Sequence, residues 1–98
     1  MRQKQTLNRE GAADLSLNFV RFLALDGERF TRFQQLTGLD QDSVMNQLKS
    51  QDENFLGQIL DYALSDESLL LEFAAGEGLD PTMIALARSK LPGFWQDS

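Results

Sequence analysis

Apolar residues recur at helical spacing in the first part of the chain. From about position 12 they fall at i, i+4, i+7 and i+8, one face of a 3.6-residue period, which predicts a helix. The positions are Leu15, Phe19, Phe22 and Leu23. Leu17 lies on the opposite side, so we expect this helix to be covered on two sides. Residues 1–11 are polar, and we expect them to be a frayed segment.

An aspartate and a glycine then interrupt the period. Asp26 is placed to cap a second helix over 27–37, because its carboxylate accepts hydrogen bonds from the free N–H groups of a first turn. We expect this helix to bury Phe30, Phe33 and Leu36. A third helix is predicted over 41–49, with Val44 and Leu48 on its apolar side.

The connection after the second helix occurs twice in the chain. Gly38 and Gly78 each follow a helical segment that contains a Phe, and glycine takes the positive φ that ends a helix without a steric penalty. Asp40 and Asp80 follow as N-caps of the next helices. Pro81 then stands at the first helical position, where the N–H that proline lacks is not needed. Both connections are predicted to be tight turns between helices.

Other positions match at the same offset of 40 residues, among them Asp26 with Asp66 and Phe33 with Phe73. We therefore predict an all-α fold, a compact bundle of about six short helices built from two similar three-helix units, 12–50 and 52–91. Two copies are too few for an open array of repeats, so we expect a closed pair. Chance similarity between amphipathic helices is the alternative. The polar segment 49–54 is the predicted hinge.

The second unit carries more leucines than one core face needs. Leu71 lies opposite Phe73, because each helical residue turns by roughly 100° from the last. We expect Leu71 to pack the two units together, because burial on several sides is ordinary for a central helix. Exposure for a partner is the alternative, and Leu86 is a second candidate of the same kind.

The chain ends in an aromatic tail, residues 92–98. Pro92-Gly93 ends the last helix, and Phe94 and Trp95 follow. Such a pair of aromatic side chains docks either into a groove on its own protein or into another protein. The two alternatives make Phe94 and Trp95 candidate binding residues.

Composition narrows the possible chemistry. The 98-residue chain has no Cys and no His, so it lacks the commonest general base, the commonest metal ligand and any thiol nucleophile. Four of its carboxylates have a structural role as predicted caps: Asp26, Asp40, Asp66 and Asp80. The adjacent Asp66 and Glu67 point different ways at a helix start and make a poor acid–base pair. We expect no enzymatic activity, no cofactor and no metal.

The net charge of −6 is unevenly distributed. Residues 1–32 hold six basic and four acidic side chains, whereas 33–98 hold three and eleven. An acidic surface repels phosphate backbones and favours a basic partner. No apolar run approaches the roughly 20 residues that cross a bilayer, and the polar N-terminus lacks the apolar region of a signal peptide. We expect a cytoplasmic protein with no membrane contact.

A DNA-binding helix–turn–helix is the second functional hypothesis. Ala74, Gly78 and Ile84 match the small, turn-glycine and buried positions of that motif. The predicted reading helix, however, carries only Arg88 and Lys90, and acidic residues surround its start. Nucleic-acid binding is therefore the less favoured alternative.

Four segments of the chain resemble a small bacterial family, domain of unknown function 3572. The segments are Arg32–Leu39, Ile59–Tyr62, Asp66–Phe73 and Gly78–Pro81, and the resemblance covers about residues 12–91. Gly27 stands where relatives are expected to have proline. The resemblance implies a small cytoplasmic bacterial protein and assigns no activity, cofactor or catalytic residue. The sequence thus favours a non-enzymatic helical protein that binds another protein or forms a homodimer.

Overall fold

The computed structural model describes residues 8–91, which form six α-helices and no strand. In chain order they are α1 (Arg9–Ala24), α2 (Gly27–Thr37), α3 (Gln41–Ser50), α4 (Glu53–Leu64), α5 (Glu67–Glu77) and α6 (Thr82–Ser89). The radius of gyration of 13.1 Å is that of a compact chain, for which about 13 Å is typical at 100 residues. The predicted all-α class is confirmed. No helix of the described chain is both long and apolar enough to cross a membrane.

Helix α1 begins earlier than its apolar pattern predicted. Asn8 is its N-cap, and the Asn8 side-chain oxygen accepts a hydrogen bond of 2.8 Å from the Gly11 N–H. This polar cap extends the helix by one turn beyond the apolar residues. The prediction of a frayed segment is therefore wrong for residues 9–11, while residues 1–7 lie outside the described part of the chain.

Aspartates cap the next helices as predicted. The Oδ1 atom of Asp26 accepts from Glu28 N at 3.0 Å and from Arg29 N at 3.4 Å. Asp40 accepts from Ser43 N at 2.8 Å, and Asp66 from Leu69 N at 3.2 Å. A further aspartate, which is not among the predicted caps, caps α4: Asp52.

The start of α6 differs slightly from the prediction. Asp80 Oδ1 accepts from the N–H and the hydroxyl of Thr82, at 2.9 and 2.8 Å. The first backbone bonds run from Met83 N to Asp80 O and from Ile84 N to Pro81 O, so this turn is wound as a 3₁₀ turn. Regular helix therefore begins at Thr82, one residue after the predicted proline start.

Three residues with positive φ end helices. Gly38 and Gly78 have φ of 75° and 70°, and their predicted role as helix stops is confirmed. Gln51 ends α3 with φ of 55°, although its Cβ makes this conformation unfavourable. The N–H of Asp52 donates to Gln47 O at 3.4 Å across this stop. Only Gln51 and Asp52 of the predicted hinge lie between α3 and α4.

Helices α1 and α4 form the centre of the fold. They pack on each other, α2 covers α1, and α3 and α5 cover α4, while α6 packs on both central helices. The α1–α4 contact includes one buried polar group, the Ser16 hydroxyl, which donates to Leu56 O at 3.0 Å and to Ala12 O at 3.2 Å. The hydroxyl is thus satisfied although the residue is fully buried.

Aromatic rings from four helices meet beside this contact. Phe19 packs edge-on against Phe73 with ring centroids 5.1 Å apart, and Phe33 packs in the same way on Tyr62 at 5.0 Å. Leu36, expected in this core, is instead 67% exposed. Helix α2 has its most extensive contacts with α1, and the side that carries Leu36 faces solvent.

Candidate interaction surface

Helix α5 has apolar residues on more than one side. Leu69, Phe73 and Ala74 are buried, whereas Leu71 is 47% exposed. The expectation that Leu71 packs the two units together is therefore wrong. Helix α5 has its most extensive contacts with α4 and also contacts α1 through Phe73 and α2 through Glu72, whereas Leu71 is left about half exposed.

The exposed residues around Leu71 form a small apolar surface with an acidic edge. Glu67 and Ser68 lie one turn before Leu71 on the same side of the helix, and Ala75 lies one turn after it. All four residues are exposed. We call this surface, Glu67, Ser68, Leu71 and Ala75, the α5 outer face.

Leu86 has a different environment. It is 44% exposed on α6, where its neighbours one turn away, Thr82 and Ser89, are polar and exposed. A single exposed leucine among polar residues is common on protein surfaces. The structure does not unite Leu86 and Leu71 in one surface, because they lie on different helices that are not closely packed on each other.

A cleft of about 150 Å³ separates α2 from α5. An ion pair between Arg29 and Glu72 links the two helices, and the Arg29 guanidinium lies 5.0 Å from the centre of the Phe22 ring. The hydrogen bond to Glu72 raises the pKa of Arg29 above its ordinary value. Tyr62 lines the same cleft, and partial burial raises the pKa of its hydroxyl, so the group stays neutral at physiological pH. Two carboxylates line this cleft and both are engaged, Asp66 as the N-cap of α5 and Glu72 in the ion pair with Arg29.

The joint between α5 and α6 has the buried positions and the turn glycine of a helix–turn–helix, but its charge does not suit DNA. Ala74 and Ile84 are buried, and Gly78 has the left-handed conformation. Arg88, the one arginine of the predicted reading helix, is only 5% exposed. Its Nε donates to Asp61 Oδ1 at 2.7 Å, which turns the side chain towards α4 and away from the surface.

This placement of Arg88 was missed from the sequence. The guanidinium lies over Gly57, where a Cβ atom would be 2.8 Å from Nη1. Nη1 also donates to the backbone oxygen of Leu91 at 3.3 Å. The available signal was a glycine in the middle of an apolar helix, which often marks the close approach of another group.

The capping carboxylates accept hydrogen bonds at the helix starts. Hydrogen bonds from the N–H and hydroxyl of Ser43 lower the pKa of Asp40, and those of Thr82 lower the pKa of Asp80. Within residues 8–91, no three acidic side chains are grouped so as to hold a metal ion. Phe94 and Trp95, the remaining candidate binding residues, lie outside the described part of the chain.

Comparison with curated proteins and with solved structures found no match. A family model does match, over residues 9–94, and its description is "Protein of unknown function (DUF3572)". The match spans most of the chain and confirms the resemblance seen in the four sequence segments. The chain belongs to this family.

Proposed function

We propose that this protein is a non-enzymatic helical module that binds another protein through the α5 outer face. The observation that carries the proposal is the exposure of Leu71, 47%, on a helix whose opposite side is already packed against the core. An amphipathic helix that serves only its own fold has polar residues on its outer side. Helix α5 instead presents Leu71 and Ala75 there.

The charge around this face indicates the chemistry of the partner. Glu67 lies on the face, in a chain of net charge −6. A partner with an apolar ridge edged by Lys or Arg matches both properties, since complementary charge speeds and orients association. A second copy of the chain brings the same acidic edge, which makes self-association through this face the less favourable variant.

The main cation of the predicted reading helix, Arg88, is buried. With Arg88 paired to Asp61, the outer side of α6 keeps Lys90 at its end, while the exposed acidic residues Glu77 and Asp80 lie before its start. Affinity for DNA depends on cations that neutralise phosphates. Protein binding is therefore the better proposal.

The test compares the wild-type protein with Leu71→Glu and with Leu25→Glu as a matched control. Leu25 is 88% exposed at the end of α1 and is not part of the α5 outer face. We expect a partner captured by tagged wild-type protein to bind the Leu25 variant equally well. Its affinity for the Leu71 variant should fall by about 2 kcal/mol, roughly 30-fold in Kd, as for loss of a central apolar contact.

Circular dichroism must show that both variants keep the wild-type helix content, because Leu71 is exposed and its replacement leaves the core intact. Equal affinity of the Leu71 variant for the captured partner would contradict the proposed surface. Retardation of a DNA duplex at low salt would favour the nucleic-acid alternative instead. Analytical ultracentrifugation distinguishes a homodimer from a complex with another protein.

We also propose that the fold consists of two similar units, 12–50 and 52–91, related by an approximate twofold axis. Contacts that exchange under the 40-residue offset support this: Phe33 with Tyr62 at 5.0 Å, and Phe73 with Phe22 at 5.4 Å. The Ser16–Leu56 hydrogen bond joins two positions with that same offset, as expected close to such an axis. An experimental structure in which one unit does not superpose on the other would contradict the proposal.

A further inference from the structure

A second cleft lies between the end of α2 and the start of α5 and has a volume of about 340 Å³. Arg32 and Leu36 of α2 line one side of it, and Glu67 and Ser68 of α5 line the other. Tyr62 also lines this cleft. Because Leu36 is 67% exposed, the cleft has an apolar edge that the described chain leaves open to solvent. We call it the Leu36 cleft.

The Leu36 cleft continues the α5 outer face. Glu67 and Ser68 belong to both surfaces, and Leu71 lies one helical turn after them on the same side of α5. The two exposed leucines, Leu36 and Leu71, therefore lie on either side of a short polar stretch. A segment that covers Leu71 and extends past the start of α5 enters this cleft.

We propose that the partner binds with an amphipathic helix that covers the α5 outer face and continues into the Leu36 cleft. This helix carries a basic residue opposite Glu67 and an acidic residue opposite Arg32. The inference rests on the proposed function and adds the shape and the charge pattern of the partner's binding segment.

Two charges of opposite sign on the cleft determine the expected charge pattern. Within residues 8–91, neither Arg32 nor Glu67 forms an ion pair. Arg29, the other arginine of α2, is already held by Glu72. Asp66 also lines the cleft, but its carboxylate caps the start of α5. A partner with the reverse order of charges matches Arg32 and Glu67 in only one direction, which fixes its register on the surface.

The architecture of the described chain favours a helix over an extended segment as the bound element. Residues 8–91 contain no strand, so an extended segment finds no sheet edge to hydrogen-bond with. A helix satisfies its own backbone and places apolar residues of successive turns on one side. Glu67 and Ala75 are eight residues apart on α5, about 12 Å along the helix axis. A bound helix of about 14 residues, roughly 20 Å long, covers this distance and reaches the cleft.

The probe for the test is a phage-displayed library of helical peptides of about 14 residues, selected on the immobilised full-length protein. We expect the enriched peptides to have one apolar side, with Lys or Arg near one end and Asp or Glu near the other. Their Kd for Leu36→Glu should rise about tenfold, as for loss of one apolar anchor. Leu25→Glu is the matched control, because Leu25 is an exposed leucine outside both surfaces, and it should bind with the wild-type Kd.

Charge reversal tests the direction of the bound helix. Arg32→Glu should raise the Kd of the enriched peptides about fivefold, as for an exposed ion pair at the strong end of its range. A peptide whose acidic residue is replaced by Arg should recover its affinity for this variant, which also shows that the variant is folded. Arg21→Glu is the control, because Arg21 is exposed on α1 and lines neither surface. A loss that the altered peptide does not restore would overturn the pairing with Arg32.

The possible results separate this inference from the proposed function. Peptides that lose affinity for Leu71→Glu but bind Leu36→Glu and Arg32→Glu as they bind the wild-type protein would overturn the extension into the cleft alone. Peptides that depend on none of these three residues, or a selection without enrichment, would overturn both proposals. A wild-type dimer in sedimentation that Arg32→Glu dissociates would show that a second copy occupies the cleft, and would overturn the binding of a separate partner there.

Discussion

We predict that Gly57 and Arg88 are energetically coupled. Because of this coupling, Gly57→Ala should lower the free energy of unfolding when Arg88 is present and raise it when Arg88 is absent. A methyl group at position 57 would lie 2.8 Å from Arg88 Nη1 and 2.9 Å from Cζ. The guanidinium is held by Asp61 at 2.7 Å and by the Leu91 oxygen at 3.3 Å. It cannot move away from the methyl group without weakening these bonds.

The size of the effect follows from two opposing terms. Loss of a hydrogen bond to a charged group costs about 1.5–3 kcal/mol, and the lower end applies because the Asp61 side chain is 57% exposed and screened by solvent. Alanine in place of glycine within a helix gains about 1 kcal/mol. We expect Gly57→Ala to lower the free energy of unfolding by about 0.5–1 kcal/mol, or roughly 4 °C in Tm.

In the Arg88→Ala background the same substitution meets no guanidinium. Only the gain in helix propensity then remains, so Gly57→Ala should stabilise by about 1 kcal/mol. The coupling energy from the four-protein cycle is the difference, about 1.5–2 kcal/mol.

Urea denaturation followed by circular dichroism measures each member of the cycle. Gly76→Ala in α5 is the control, since a Cβ there meets no atom within 4 Å. It should stabilise both backgrounds equally. If Gly57→Ala has the same effect with Arg88 as in the Arg88→Ala background, the close contact with Arg88 does not explain why glycine occupies position 57.

Further predictions concern helix ends. Gly38→Ala and Gly78→Ala should each lower the free energy of unfolding in urea by about 1 kcal/mol, because φ of 75° and 70° is unfavourable for alanine. Gln51→Gly should raise it by about 0.5–1 kcal/mol, because it relieves the same strain at φ of 55°; an unchanged or lower value would contradict this. The lowered pKa values of Asp40 and Asp80 contribute stability that is complete above about pH 4 and is lost as the pH falls through the folded-state pKa. Replacing both aspartates by Asn should reduce this acid sensitivity, which is measured as the urea midpoint at a series of pH values. If the double variant has the same pH profile as the wild-type protein, the two caps are not its source.

Local features of the fold could be predicted from the sequence. Capping involves a side chain and a backbone group two or three residues away, and the helix-ending glycines act on their own turn, so neither depends on the rest of the chain. The predicted bounds 27–37 agree with α2, and the predicted end of α3 differs by one residue. The start of α1 was predicted too late although its cap is also a local feature, because Asn8 caps a turn that lacks large apolar residues.

Burial could not be predicted as well, because it depends on which helices become neighbours. Leu36 continues the apolar spacing of α2 and Leu71 was expected to pack the two units together, yet they are 67% and 47% exposed. The Arg88–Gly57 contact likewise joins residues distant in sequence, and neither residue alone indicates the other. The sequence identified Leu71 as surplus, but only the packing of α5 on α4 decides that it is exposed.

The way the helices cover one another crosses the midpoint of the chain. Helix α3 precedes the Gln51–Asp52 connection but packs on α4, which follows it, and α6 packs back on α1. A chain cut at this exposed connection therefore yields two fragments that each lack a partner for a buried face. Each fragment keeps only part of the core, whereas a mixture of the two can restore every helix contact. The connection is thus a natural site for fragment complementation, in which folding requires both halves to meet.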